Sequence, residues 1–276
     1  WNKAFSAVPG MTNTAFIPRS RSGFSKGLAL SELWMLFPGT VSSPYAEIAN
    51  GRKAIYASAY QSRNKEGQDK FKKAILSRNM NAVVIDMKDD YGLLRYDSKD
   101  PMILEKGAIS QYAIPDLNKF IDDYKKENIY MIARIVTFKD RTLSKYDGGK
   151  YAVWDSKLNR AWMGIRGYDD AVDEAGNPTG EKVTDYYDEN WVDPYSEEVW
   201  EYNVAIAKEL ISRGFDEIQF DYIRFPTDGI NLYNAKYRWQ DKGMDKESAL
   251  ISFLSYAREN IEAPIINEVP ICMECE

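Results

Sequence analysis

The clearest alternation of polar and apolar residues in the chain predicts a strand with one polar face. Its polar positions are Glu217, Gln219 and Asp221, and its apolar positions are Ile218 and Phe220. Because helices are predicted on either side of it, the strand should run parallel to its neighbours and be covered on its outer face. The polar residues then point toward a central site, and Asp221 is the first candidate for chemistry.

Four further strands are predicted, and segments with helical periodicity separate them. The strands are residues 53–60, 82–87, 130–136 and a segment that begins at Pro264. The helices lie around residues 68–78, from Pro115, from Pro194 and after Asp245. Asp193 is predicted to cap the third of these helices, with Pro194 as its first residue.

This order of elements indicates an α/β protein with a parallel sheet and right-handed crossovers, either open and doubly wound or closed as a barrel. The chain has no Gly-x-Gly-x-x-Gly and no Gly-x-x-x-x-Gly-Lys motif, which disfavours a nucleotide-binding doubly wound fold. Polar residues recur near the carboxyl ends of the predicted strands, where barrel enzymes place their sites. We therefore expect a (β/α)8 barrel of the TIM type.

The parity of side chains along the strands brings charged residues together. If the more polar face of each strand points inward, the residues that converge near one end of the barrel are Asp86, Arg134, Glu217 and Asp221. Lys88 is predicted to share the face of Asp86. Arg134 would hold Asp221 ionised, as a glycosidase nucleophile requires beside a second, protonated carboxyl group. The alternative is an inward network that only satisfies polar groups inside the barrel.

The amino-acid composition excludes several classes of function. The chain of 276 residues contains no histidine, which excludes Ser-His-Asp and Cys-His catalysis and every His-ligated metal site. Its net charge is −6 and it has no long run of Lys or Arg, so nucleic acid is not an expected partner. No apolar run approaches the ~20 residues that span a bilayer, so membrane association is expected only through segments outside this chain.

No cofactor and no metal are predicted, although two features of the sequence carry groups that bind metals. Cys272 and Cys275 form one Cys-x-x-Cys pair, which is half a zinc site at most. Asp86 and Asp89 carry the carboxylates that Mg²⁺ or Ca²⁺ prefers. Strand alternation sends these two side chains to different faces unless the strand has already ended, so a metal-assisted hydrolase remains an alternative.

The long segment 137–192 and its flank are rich in aromatic residues, which suit packing against sugar rings. These residues are Tyr146, Tyr151, Trp154, Trp162, Tyr168, Tyr186, Tyr187, Trp191 and Tyr195. A long loop in a compact domain is usually functional; the alternative is that about half of these rings form a satellite core. Residues 1–50, broken by Pro and Gly, are interpreted as an N-terminal extension, and residues 51–276 as the barrel domain.

Several motifs resemble one family in the same order along the chain. They are residues 82–90 (AVVIDMKDD), 96–99 (YDSK), 132–140 (IARIVTFKD), 191–195 (WVDPY) and 214–226 (GFDEIQFDYIRFP). The match covers roughly residues 53–265. They resemble the bacterial "putative glycosyl hydrolase" family, formerly a domain of unknown function and distantly similar to barrels of the α-amylase type.

The resemblance implies a glycosidase barrel whose fourth strand ends in the nucleophile, at Asp221, and whose acid/base carboxylate follows the fifth strand. It also marks motif positions at Asp86, Lys88, Arg134, Lys139, Asp193, Gln219 and Arg224. Members of the family are often exported or membrane-anchored, which implies an extracellular or cell-envelope location and a glycan substrate there.

The end of the chain departs from the family pattern. Only five strands are predicted, and an eight-strand barrel of ~250 residues does not fit a chain with a 50-residue extension and a long third loop. Glu268 stands about where the acid/base carboxylate is expected. We therefore expect an incomplete barrel from a C-terminally truncated chain, and a closed eight-strand barrel within these residues would overturn this.

The leading hypothesis from the sequence is a glycoside hydrolase that acts on a poly- or oligosaccharide. Asp221 would be the nucleophile or transition-state stabiliser and Glu268 the acid/base. The residues expected to bind substrate are Asp86, Lys88, Arg134, Lys139, Trp191, Asp193, Glu217, Gln219 and Arg224. The alternatives are a non-catalytic glycan-binding barrel and the metal-assisted hydrolase of Asp86 and Asp89. A second carboxyl group ~5–10 Å from Asp221 would separate the first two, and loss of activity to a chelator would indicate the third.

Overall fold

A computed structural model describes residues 5–6 and 45–267 of the chain. Strands and helices alternate through it. The strands are β1 (Phe5–Ser6), β2 (Lys53–Ala57), β3 (Ala82–Lys88), β4 (Leu93–Leu94), β5 (Ala108–Ile109), β6 (Tyr130–Val136), β7 (Trp154–Asp155), β8 (Arg160–Ala161), β9 (Ile165–Val172), β10 (Pro178–Tyr186), β11 (Glu217–Asp221), β12 (Ala235–Lys236) and β13 (Ile265–Asn267). The α-helices are α1 (Ala46–Ala49), α2 (Ala59–Ser62), α3 (Lys65–Ser77), α4 (Pro101–Lys106), α5 (Leu117–Lys125), α6 (Arg141–Lys145), α7 (Glu197–Arg213) and α8 (Lys246–Asn260).

The central sheet has the strand order β1-β2-β3-β6-β11-β13, so the α/β class is confirmed. β2, β3, β6, β11 and β13 are parallel and follow one another in chain order, with helices in the crossovers, while β1 pairs with β2 in the antiparallel sense. Within residues 5–6 and 45–267 no strand joins β13 to the opposite edge. The described sheet is therefore not a closed barrel, and the expected truncation stays a prediction.

The helices form where an apolar stripe and a capping residue coincide. Along α7 the predicted stripe of Val199, Tyr202, Ile206 and Leu210 is fully buried. Gly214 follows α7 with φ of 115° and lets the chain turn directly into β11. Before α8, the side chain of Asp245 accepts a 2.7 Å bond from the amide of Ser248, as an N-cap does.

Two predicted boundaries were wrong. α7 begins at Glu197 with Ser196 at its N-cap position, so Asp193 does not cap it. The strand predicted over residues 53–60 ends at Ala57, because the hydroxyl of Ser58 accepts a bond from the amide of Gln61 and caps α2. Short polar side chains that bond to nearby amides compete in this way with strand pairing.

The two faces of the sheet have different surroundings. One face carries Ile85, Ala133, Ile218 and Phe220 into the main hydrophobic core, where the helices pack on it. The other face is the polar face of the sequence pattern, and it buries only a small apolar cluster around Ala82, Tyr130 and Ile132. On this second face the side chain of Tyr56 is 50% exposed. The described residues therefore leave the polar face partly accessible at the carboxyl ends of its strands. This polar face is the open face of the sheet.

A β-bulge in β3 changes the predicted parity. Asp86 pairs with Arg134 of β6, but Lys88 pairs with Ile135, the very next residue of β6. The extra residue sends both Met87 and Lys88 to the helix-covered face, where both are fully buried. The prediction that Lys88 shares the face of Asp86 was wrong for this reason.

The long segment 137–192 is folded and contains α6, a 3-10 turn (Tyr146–Gly149) and the hairpin of β9 and β10. About half of the aromatic residues of the segment and its flank are buried, as expected if they form a satellite core. Tyr151, Trp162, Trp191 and Tyr195 are buried, whereas Tyr168 on the hairpin is exposed. None of the helices in the described ranges is both long and apolar enough to cross a membrane.

Candidate active site

The side chain of Arg134 joins two carboxylates on the open face of the sheet. Its Nη1 donates to Oδ1 of Asp86 at 2.6 Å, and its Nε donates to Oδ2 of Asp221 at 2.8 Å. Its Nη2 also contacts Asp221. Asp86 and Gln219 flank Arg134 on the two neighbouring strands, and Asp221 lies two residues beyond Gln219. The predicted convergence of Asp86, Arg134 and Asp221 is present, with the nearly buried Gln219 beside them.

Hydrogen-bond donors keep this cluster organised. The hydroxyl of Tyr56 donates to Oδ2 of Asp86. Burial and the adjacent Asp86 carboxylate raise the pKa of Tyr56 well above its ordinary value, so Tyr56 keeps its proton and acts as a donor. Burial would lower the pKa of Arg134, but the two carboxylates outweigh it and raise this pKa. The guanidinium is therefore a permanent cation between two acceptors.

The backbone directly after Asp221 is held in an uncommon conformation. Tyr222 has φ of 54°, a left-handed value that bulky residues rarely adopt. In this conformation the amide of Tyr222 donates to Oδ1 of Asp221 at 2.6 Å, so both carboxylate oxygens of Asp221 are bonded. Backbone strain of this kind clusters at functional sites, and here it fixes the orientation of the candidate nucleophile.

A second group of charges lies around Lys139, next to the candidate nucleophile. The Nζ of Lys139 lies 3.0 Å from Glu189 and 3.3 Å from Asp90, and 4.9 Å from the ring centre of Tyr222. Burial would lower the pKa of Lys139, but the bond to Glu189 outweighs it and raises this pKa. Lys139, which was predicted to bind substrate, therefore lies near the residue that follows Asp221. Glu189 and Tyr222 were not among the predicted site residues, and only the position of Tyr222 directly after Asp221 could have indicated it.

Trp191 and Arg224 also lie near Tyr222. The expected contact of the partly exposed Arg224 with substrate stays a prediction. Trp191 is only 1% exposed, so the expectation that its ring packs against substrate was wrong. The guanidinium of Arg224 lies 4.7 Å from the ring centre of Trp191 and also donates to Thr227 at 3.0 Å. Trp191 instead supports the loop that carries Tyr222, with the two rings 5.9 Å apart.

Lys88 is part of the core, so its predicted contact with substrate was wrong. It is fully buried, and its Nζ lies 2.8 Å from Oδ2 of Asp140 and donates to Asn203 at 2.8 Å. A buried cation with a paired carboxylate and an amide acceptor is satisfied without a ligand. Lys88 therefore stabilises the junction of β3, α6 and α7.

Asp193 is likewise fully buried, and the expectation that it binds substrate was wrong. Its carboxylate accepts bonds from the amides of Tyr195 at 3.0 Å and Trp239 at 3.1 Å. Burial raises the pKa of Asp193 to about 6. Asp193 thus ties the segment before α7 to the segment before α8.

Glu217 shares the face of Asp221 but lies at the opposite end of β11, so its predicted place in the cluster was wrong. The hydroxyl of Tyr130 donates to Oε2 of Glu217 at 2.7 Å. The other oxygen, Oε1, has no hydrogen-bond partner among the described residues. Burial raises the pKa of Glu217 to about 7, because its cost to the ionised form outweighs the bond from Tyr130 and the charge of nearby Arg52.

The two carboxylates of the metal hypothesis lie in separate networks. Asp89 accepts bonds from the amides of Tyr91 at 3.0 Å and Leu93 at 2.9 Å and pairs with Arg95, whereas Asp86 is engaged by Arg134. Across the described ranges no three Asp, Glu or Cys side chains gather as a metal site would require. Glu268, Cys272 and Cys275 lie outside the described residues.

These features define a mixed α/β protein with a carboxylate pair at the carboxyl ends of its parallel strands. Residues 54–271 match the family described as "Putative glycosyl hydrolase domain", and the chain belongs to this family. The resemblance that the motifs indicated is therefore confirmed. No curated protein matches the chain.

Among solved structures, the chain is similar to a hypothetical protein from Ruminiclostridium thermocellum ATCC 27405, with 30% identity and a TM-score of 0.62 over 78% of this chain and 97% of that one. Two more distant structures also match. The alpha-galactosidase from Lactobacillus brevis has 12% identity and a TM-score of 0.45, over 77% of this chain and 26% of that one. The trehalose-6-phosphate hydrolase from Bacillus licheniformis has 12% identity and a TM-score of 0.42, over 78% and 44%.

Proposed function

We propose that the chain is a glycoside hydrolase for a poly- or oligosaccharide, with Asp221 as nucleophile or transition-state stabiliser. The observation that carries the proposal is one guanidinium, that of Arg134, bonded to Asp86 and Asp221 on the open face of the sheet. A glycosidase requires a fixed, ionised carboxylate at the anomeric carbon. Membership in the glycosyl hydrolase family supports the same reaction class.

Each residue of the cluster has a role that its contacts suit. Positive charge develops on the sugar ring during cleavage, and the carboxylate of Asp221 stabilises it or attacks the anomeric carbon. Arg134 and the amide of Tyr222 hold that carboxylate in one orientation. Asp86 and Gln219, on the strands beside Arg134, bind sugar hydroxyls.

Glu268 is the proposed general acid that protonates the leaving oxygen. In sequence it directly follows β13, the strand that pairs with β11 on the side away from β6. A Glu268→Gln variant should lose activity most on substrates with poor leaving groups, and far less on activated aryl glycosides, because only the former need a proton in the first step. Equal losses on both kinds of substrate would contradict this role.

The proposal is tested by screening the protein against a polysaccharide panel and measuring reducing ends released. Asp221→Asn should lower hydrolysis of any substrate found by about 10³-fold or more, because electrostatic stabilisation is usually the largest contribution to the rate. Circular dichroism should show an unchanged fold. Turnover by Asp221→Asn at the wild-type rate would reject the assignment.

One observation favours the non-catalytic alternative, a glycan-binding protein. Both oxygens of Asp221 already accept bonds from protein groups, Arg134 and the amide of Tyr222. A carboxylate so engaged can serve as a fixed acceptor for sugar hydroxyls. Binding of a polysaccharide by the wild-type protein with no release of reducing ends would favour this alternative.

A further inference from the structure

Two exposed tyrosine rings form a pair beyond the carboxyl end of β2. Tyr60 belongs to α2, which directly follows β2, and Tyr112 follows β5. Their ring centres lie 5.2 Å apart with the planes at 77°. Tyr60 is 53% exposed and Tyr112 is 38% exposed. Large aromatic rings usually bury much more of their surface, so the exposure of both at one place calls for a ligand.

The guanidinium of Arg63 lies over both rings, 5.1 Å from the centre of Tyr60 and 5.2 Å from that of Tyr112. It covers one face of each ring, and the edge contact between the rings covers at most one face more. Tyr60 and Tyr112 nonetheless remain 53% and 38% exposed, so part of the surface of each ring is available to a ligand. The cation–π contacts also keep the rings in place before a ligand arrives, which lowers the entropic cost of binding.

The tyrosine pair lies beside the candidate active site. Tyr56 of β2 bonds to Asp86, and Tyr60 stands four residues after Tyr56. Asp221 ends β11, three strands away from β2 in the sheet. At roughly 4.8 Å between neighbouring strands, this separation is about 14 Å. A single sugar ring is too short to reach from Asp221 to the pair, but an oligosaccharide is long enough.

We propose that Tyr60, Tyr112 and Arg63 form a binding subsite for a sugar unit remote from the cleaved bond, so that the substrate is an extended oligosaccharide or polysaccharide. This inference rests on the proposed function. The apolar C–H face of a pyranose packs on an open aromatic face, and the N–H groups of Arg63 are donors for its hydroxyls. Within the described ranges no hydrogen bond from Arg63 to protein occupies these donors.

The subsite is tested by affinity electrophoresis in gels that contain soluble starch, pullulan, xylan or galactomannan. The inactive Asp221→Asn protein is expected to be retarded by at least one of them. Adding Tyr60→Ala and Tyr112→Ala should weaken that retardation by tenfold or more, whereas Tyr60→Phe with Tyr112→Phe should preserve it because the rings remain. Tyr233→Ala is the matched control, since Tyr233 is 73% exposed and makes no ring contact within the described residues.

Hydrolysis assays distinguish a failure of the subsite proposal from a failure of the catalytic proposal. Tyr60→Ala with Tyr112→Ala should raise KM for the retarding polysaccharide by tenfold or more and leave kcat on a short aryl glycoside unchanged. Normal retardation of the alanine variant, or no retardation of the Asp221→Asn protein in any gel, overturns the subsite even if Asp221→Asn abolishes hydrolysis. Undiminished hydrolysis by Asp221→Asn, with retardation lost only in the alanine variant, overturns the catalytic proposal and keeps the subsite.

Discussion

Asp221 and Glu217 occupy the same face of the same strand, yet their surroundings are opposite. They are four residues apart on β11, which is about 13 Å at roughly 3.3 Å per residue. Asp221 lies at the carboxyl end, partly accessible and paired with Arg134. Glu217 lies at the amino end and is fully buried, with a neutral phenol as its donor and one oxygen that has no hydrogen bond to any described residue.

The two ends of β11 thus give their carboxyl groups different partners, a cation for Asp221 and a phenol for Glu217. At the carboxyl end, a cation and an amide hold the carboxylate of Asp221 in one orientation. At the amino end, the side chain of Glu217 is fully buried and this burial raises its pKa to about 7. Barrel enzymes divide activity and stability between the two ends of their strands in the same way.

Removing Arg134 should have the largest effect. In Arg134→Met the carboxylates of Asp86 and Asp221 lose their shared cation and repel each other. We expect hydrolysis to fall by about 10²-fold or more and the free energy of unfolding to fall by up to about 3 kcal/mol. Rates on the panel substrate and urea denaturation measure the two effects.

Arg134→Lys is the control for charge alone. A lysine ammonium keeps the cation but cannot bond both carboxylates in the fixed geometry of a guanidinium. It should recover most of the stability and little of the activity. Wild-type activity in Arg134→Met would show that the cluster at the carboxyl end is structural.

Replacing Glu217 by Gln should change stability and leave activity almost unaltered. The pKa of Glu217 is raised from 4.5 to about 7 in the folded protein, so the folded state binds more protons than the unfolded state between these pH values. The Glu217 contribution is therefore favourable at low pH and falls as pH rises through this window, by about 3 kcal/mol in total. Glu217→Gln removes this decline.

Urea denaturation of the wild-type and Glu217→Gln proteins between pH 4.5 and 8 tests this. The stability of the wild-type protein should decline relative to that of Glu217→Gln as pH rises. The rate of hydrolysis by Glu217→Gln should stay within about twofold of the wild-type rate, as expected for a substitution remote from the site. A parallel pH dependence in the two proteins, or a large loss of activity in the variant, would contradict the assigned difference between the two ends.

Removing the hydroxyl of Tyr56 should have the smallest effect. Tyr56→Phe deletes one donor to Asp86 at a half-exposed position, and a hydrogen bond of this kind contributes about 1 kcal/mol. Asp86 remains paired with Arg134, so we expect a loss of activity of only a few fold. A loss as large as that of Arg134→Met would instead give Tyr56 a direct role in proton transfer.

The alternation pattern predicted the sheet and most of the candidate site. Glu217–Asp221 alternate between polar and apolar residues, residues 130–136 form a short apolar run that contains Arg134, and the structure contains β11 and β6 at those positions. Parity was enough to bring Asp86, Arg134 and Asp221 together, because parallel neighbours in register share a face. Apolar stripes, such as the one that contains Val199 and Tyr202, predicted the helices.

The errors have local physical causes that a pattern does not contain. A single extra residue turned Lys88 into the core, and parity cannot detect a bulge. Trp191 looked like a sugar-binding ring because composition does not reveal exposure. The contact of Glu189 with Lys139 joins residues 50 positions apart, and nothing in either local sequence indicates the other.

The bulge at Met87 has a consequence for comparing this chain with its relatives. It lets one short strand supply Asp86 to one ion pair and Lys88 to another on opposite sides of the sheet. Deleting Met87 would restore plain alternation with Lys88 directly after Asp86, still opposite Ile135 and on the helix-covered face, so both ion pairs are kept. A homologue that is shorter by one residue here can therefore keep both ion pairs, whereas one of equal length that pairs without the bulge turns Lys88 toward Arg134 and leaves Asp140 without its cation.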